Sequence, residues 1–196
     1  MAVRPWLAAG RAHNPAMQVL YKALGLAAVL GLAACQPALN WREVRSGVHR
    51  LVVLLPCKPD QGSREVPMAG TPVQLDMQGC EAAGTMFAVS HARLADPAQA
   101  GPALAGWKTA VLANMHAGSI QDQPFVLPGA LALGEAVRTR ATGQGADGRA
   151  VAAEAVWFAR VGPAGVDVFH AVVYAQRQDA ALGASADTFF AGLKFE

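Results

Sequence analysis

The segment Val166–Tyr174 constrains the fold of this chain more than any other stretch. Val166, Val168, His170, Val172 and Tyr174 alternate with Asp167, Phe169, Ala171 and Val173. Side chains along a strand point alternately to opposite faces, so this strand is largely apolar on both. It belongs in the centre of a sheet that is covered on each side.

Other segments supply the neighbours and the cover. Leu51–Leu55 is a run of β-formers stopped by Pro56, and it reads as a strand buried on both faces. Trp41–Arg45 reads as a short strand before it. Pro72–Met77 and Thr85–His91 read as a strand pair around Gly79 and Gly84. Asp96-Pro97 is a helix start, because proline at the first helical position gives up an N–H that would have no partner there. From that point Ala100, Ala103, Leu104, Trp107, Val111 and Met115 recur at helical spacing, predicting a helix that ends near Gly118. Ser119–Gly129 carries two prolines and is expected to be a loop.

Two more strands, Glu135–Thr142 and Arg149–Arg160, precede the central one, with turns at Gly143–Gly148 and Gly162–Gly165. A closing helix is expected over Ala186–Leu193, capped by Ser185, with Asp187 suited to its dipole and Phe189, Phe190 and Leu193 docking it. Hairpin-length connections make the fold class α+β, a mostly antiparallel sheet flanked by helices. This element order, with its opening apolar strand and terminal Phe-Phe-x-x-Leu helix, resembles the Mog1/PsbP-like α/β/α sandwich. The resemblance implies an accessory, assembly or binding protein and carries over no functional residue.

Before the domain, Lys22 is the last positive charge, Ala23–Gly31 is uncharged and apolar, and Leu32-Ala33-Ala34-Cys35 closes the run. The run is shorter than the roughly 20 apolar residues that a membrane span needs. The arrangement resembles the signal and lipobox of a bacterial lipoprotein precursor. That resemblance implies a signal peptide over residues 1–34, cut before Cys35. It also implies that Cys35 is diacylated on sulfur and acylated, as by palmitate, on its new amine. More than one acyl chain is what stable anchoring requires. Gln36, where an aspartate would direct the protein to the inner membrane, implies the periplasmic face of the outer membrane. Arg4, Pro5, Trp6, Arg11 and Pro15 make an awkward leader start and Met17–Lys22 a compact one, so translation is expected to begin at Met17. Residues 35–40 form the lipidated end and a tether whose last five residues reach at most about 18 Å. Residues 41–196 form one domain.

With Cys35 acylated, Cys57 and Cys80 remain as a pair, and in an oxidising compartment an even remainder reads as a disulfide. A redox-active pair is the alternative, although the chain has no C-x-x-C and neither cysteine opens an evident helix. The formal charge of the whole chain is +2. Removal of Arg4, Arg11 and Lys22 with the signal makes it slightly negative. No Lys/Arg cluster survives, so a nucleic-acid partner has no electrostatic support.

Candidate chemistry is sparse. His49, His91, His116 and His170 form neither H-x-x-x-H nor H-E-x-x-H, and no metal or cofactor is expected. His91 and His170 lie on expected strands and are candidates to meet across the sheet. Ser90-His91 is adjacency rather than a catalytic pair, because neighbouring strand residues face opposite ways. The glycines Gly143, Gly145 and Gly148 read as a turn, not a phosphate cradle. Glu135 and Glu154 are candidates to face each other, but Arg138, Arg140, Arg149 and Arg160 on the same elements suggest ion pairs instead. Trp41, Trp107, Trp157 and Phe158 are expected to pack the core, with an aromatic ligand patch as the alternative. The resulting expectation is a membrane-anchored periplasmic lipoprotein that binds an envelope protein or small ligand without catalysis. The alternative is an enzyme or metal-binding protein with a site assembled from distant strand residues, His91, His170 and Glu154.

Overall fold

A computed structural model of the chain describes residues 39–46, 50–145 and 147–196. Among the described residues, ten strands form two antiparallel sheets, and two helices accompany them. The strands are β1 (Arg42–Ser46), β2 (Leu51–Leu55), β3 (Asp60–Met68), β4 (Thr71–Ala82), β5 (Thr85–Leu94), β6 (Ser119–Pro124), β7 (Val137–Gln144), β8 (Ala150–Gly162), β9 (Gly165–Ala175) and β10 (Lys194–Phe195). The helices are α1 (Ala100–Asn114), led by a 3₁₀ turn at Pro97–Gln99, and α2 (Ala180–Ala191). The large sheet has the order β3-β4-β5-β9-β8-β7-β6, and the small one β1-β2-β10.

The strand apolar on both sides, β9, is the middle strand of seven. Alternation along β5, β8 and β9 sends residues to two separate cores. On one face Ala153, Ala155, Trp157, Val168 and Val172 pack under α1 through Ala103 and Leu104. On the other, Phe87, Val156, Phe158, Phe169 and Val173 pack under α2 and the small sheet through Phe189, Leu51 and Val53. The fold is the expected α+β sandwich, with a small second sheet beside α2 on one side.

Several boundaries differ from expectation. Leu51–Leu55 is buried as expected, but it is the middle of the small sheet rather than a strand of the main one. Gly79 lies inside β4, and the turn to β5 is Ala83-Gly84, both with positive φ (52° and 71°). β3 and β6 are the edges of the large sheet, and neither was anticipated. β6 replaces the first half of an expected loop. Edge strands exposed to solvent need no apolar alternation, so their sequences carry little strand signal. Asp96 caps the 3₁₀ turn as expected, accepting from the Ala98 N–H at 2.9 Å. Helix α2 begins six residues before the expected start, because Asp179, not Ser185, is the cap and accepts from the Leu182 N–H at 2.9 Å.

Two contacts fix the layers. Past the end of α1, the Met115 carbonyl accepts from the Gln144 N–H at 2.8 Å, and a side chain on Gly143 would meet that same oxygen at 2.0 Å. Only glycine permits this approach of helix end to β7. The second contact is the disulfide between Cys57, just past β2, and Cys80 on β4, with Cα atoms 5.9 Å apart. It staples the small sheet to the large one. Because it closes a loop of 23 residues, the paired substitution Cys57→Ser/Cys80→Ser is expected to leave the fold intact but lower stability by about 3 kcal/mol. Thermal unfolding should show a Tm roughly 6–12 °C lower.

Candidate functional site

The three residues weighed as a dispersed site do not converge. His91 and His170 occupy adjacent strands one register step apart: His91 stands opposite Phe169, and His170 opposite Ser90. One step along a strand reverses the face. His91 therefore points to the side of α2 and the small sheet, whereas His170 points to the side of α1. Contrary to the expectation from the sequence, they do not meet across the sheet.

Each histidine has its own surroundings. His91 is buried, and its Nε2–H donates to Asp167 Oδ1 at 2.9 Å. Its ring lies against Phe169, with centroids 5.0 Å apart. Arg93, directly opposite Asp167 in the register, grips the same carboxylate from Nε at 2.7 Å and Nη2 at 3.1 Å. Burial acts to raise the Asp167 carboxyl, but hydrogen bonds from Arg93 and His91 outweigh it and hold the group below the usual carboxylate range. Asp167 thereby fixes the orientation of the His91 ring, which is the supporting half of an acid–base arrangement. The sequence reading missed this cluster. Its signal was present as alternation, since His91 and Arg93 share one face of β5, as do Asp167 and Phe169 on β9.

His170 stacks on Trp157, with ring centroids 3.9 Å apart and planes 12° from parallel, and meets Trp107 edge-on at 5.5 Å. Its Nε2 is buried without a hydrogen-bond partner among the described residues. Burial alone pushes the imidazole down to about 3, so the ring is neutral at any ordinary pH. It serves as an aromatic slab between two tryptophans. Trp157 and Phe158 are core residues, as expected, while Trp41 and Trp107 are partly buried against the two cores.

Glu154 is wholly inaccessible to solvent and lies on the α2 side of β8. Arg138 reaches its Oε2 through Nε at 2.9 Å and also through Nη2. Arg140 Nε and Gln178 Nε2 donate to Oε1 at 3.0 and 3.1 Å. Arg138 also donates to Asp187 on α2 at 2.6 Å and lies 5.2 Å from the centre of the Phe190 ring. Burial acts to lower the Arg138 guanidinium, but the hydrogen bonds it donates to Glu154 and Asp187 raise it overall. The arrangement is an ionic clamp between β7, β8 and α2. It leaves Glu154 no open oxygen for proton transfer to a substrate. Glu135 precedes β7, is exposed, and lies beside the first turn of α1 near Gly101. It does not face Glu154, which instead pairs with arginines as anticipated.

The remaining expected residues divide simply. Cys57 and Cys80 are bonded to each other, and Cys35 and His49 lie outside the described residues. His116 is exposed in the turn after α1. Among the described residues no group of three or more His, Cys, Asp or Glu side chains is placed to hold a metal ion. No helix among them is long and apolar enough to cross a membrane. Neither a protein-family model nor a curated protein sequence matches the chain.

Two outcomes follow from these geometries. Glu154→Ala leaves two guanidinium groups without their buried partner and should destabilise by about 3 kcal/mol, the low end for breaking a buried pair. The low end applies because Arg140 keeps 42% of its side chain exposed; chemical denaturation checks it. For His170 the folded value lies below the ordinary 6.5, so the unfolded state takes up a proton first. Stability should then fall as pH drops from 6.5 towards 3, by up to about 5 kcal/mol from this group. His170→Phe, which keeps the stack, should visibly flatten that part of a denaturation-versus-pH profile.

Proposed function

We propose that this chain is a membrane-anchored periplasmic lipoprotein, acylated on Cys35, that acts by binding and not by catalysis. The observation that carries this reading is Leu32-Ala33-Ala34-Cys35 closing an apolar leader. The Cys57–Cys80 bridge supports export, since such bonds persist in oxidising compartments. Gln36 favours the periplasmic face of the outer membrane. Among the described residues, Leu39 packs against the core and the Asn40 N–H donates to the Pro56 carbonyl at 3.0 Å, only four and five positions after Cys35. The tether from Cys35 is therefore short, and the domain works close to the bilayer.

The binding half of the reading draws on what became of the candidate chemistry: Glu154 is clamped, His170 is neutral and sealed, and the two histidines face apart. The Mog1/PsbP-like resemblance points the same way by analogy of fold alone. The second reading is an enzyme or metal-binding protein, and only the oriented His91–Asp167 pair favours it.

Cells fed an alkyne analogue of palmitate provide the test. The chain should acquire the label and lose residues 1–34, while Cys35→Ala should stay unlabelled and retain its leader. A mature chain that carries no acyl group would overturn the anchor. His91→Ala, compared with wild type for loss of cellular function at equal amounts of folded protein, separates the two readings. Binding without catalysis expects little change.

A further inference from the structure

Helix α1 and the β3–β4 hairpin enclose a groove of about 370 Å³ on the side of the sheet away from α2. That volume lies within the range of small-ligand sites, which are mostly apolar with a few placed polar groups. Met68, Leu75 and Ala103 form its buried floor, and Val66, Trp107 and Val111 its partly buried walls. Gly106 and Ala110 keep the helix side open; a methyl group on Gly106 would meet nothing within 4 Å. Two polar side chains stand at the mouth. Asn114 is neutral, and Arg64 is an exposed guanidinium with no ion-pair partner among the described residues. No carboxylate lines the groove. An apolar slot with one unneutralised cation at its rim selects an amphiphile with a single negative end.

We propose that this groove binds a single-chain fatty carboxylate, its head on Arg64 and its tail along Trp107 between α1 and β3. A guanidinium matches a carboxylate in a two-pronged geometry, and the slot has room for one chain rather than the two of a phospholipid. The inference deepens the binding half of the proposed function and does not depend on acylation of Cys35.

The test uses whole cells producing the full chain and a decanoate analogue that carries a photoreactive diazirine in its tail. Adducts are expected in peptides spanning residues 64–69 and 106–114, and unlabelled decanoate should suppress them. Each methylene removed from the competitor should weaken it about fourfold. The methyl ester of the probe, and separately Arg64→Gln, should cut adduct yield by about fivefold or more at subsaturating probe. Ala110→Phe, at an exposed position, should fill the groove and abolish the adducts with the Tm unchanged. Adducts elsewhere, equal yields from acid and ester, an unaffected Arg64→Gln, or equal labelling by a photoreactive phosphatidylcholine would overturn the proposal. So would finding no adduct. If a cross-linked envelope protein were recovered from the same cells with no groove adduct, the binding reading would stand and this ligand would fall.

Discussion

Burial of the central strands on both faces is the constraint on which the rest of the structure depends. Strands β8 and β9 are joined by a tight hairpin and alternate their side chains between two cores. Phe158 stacks on Phe169 at 5.0 Å on one face, and one register step away Trp157 stacks on His170 at 3.9 Å on the other. Neither face could meet water without exposing a continuous apolar surface, so each demands a cover. Helix α1 supplies one. Helix α2 and the small sheet share the other, with Phe189 from the helix and Phe195 from β10 reaching into it.

The polar groups inside this frame follow from the same demand. A charge carried into the interior by strand alternation must be paired or neutral. Asp167 is met by Arg93 and His91, Glu154 by Arg138 and Arg140, and His170 stays uncharged between tryptophans. Pairing serves the two carboxylates and neutrality serves the imidazole. The side chains that stood out in the sequence as chemical candidates stand inside because β5, β8 and β9 are central. Their partners lie on the next strand, with Trp107 of α1 added for His170 and Gln178, just before α2, added for Glu154. The groove beside α1 is of another kind, since Arg64 sits at its rim on an edge strand, where nothing requires its charge to be answered from within the chain.

Legibility in the sequence tracked burial. Val166–Tyr174 and Arg149–Arg160 were readable because a buried strand must be apolar residue by residue. Asp60–Met68 was not, because an edge strand with solvent on both faces can carry Asp-Gln-Gly-Ser-Arg-Glu without penalty. Ser119–Pro124 escaped for the same reason, the two prolines between Ser119 and Gly129 suggesting a loop although Pro124 merely ends the edge. At α2, both Asp179 and Ser185 are competent caps, and the apolar Leu182 that Asp179 brings into the core favours the earlier start. Of the candidate site, Glu154 and its arginines could be anticipated as cross-strand pairs. The Asp167 cluster required knowing that β5 lies beside β9, a pairing between segments more than seventy residues apart.

By itself the sequence determined the class of the fold, the central strand, the main helix and its proline-led start, and the odd count of cysteines that leaves Cys57 and Cys80 to pair once Cys35 is set aside. All of these are written in local periodicity, capping chemistry and composition. Only the tertiary structure decided that Leu51–Leu55 leaves the main sheet for a small one, that His91 and His170 face apart, and that Glu154 is locked in a clamp. The physical reason is register. Alternation fixes that successive side chains take opposite faces, but which face is which, and who stands opposite, is set by strand pairing across long stretches of chain.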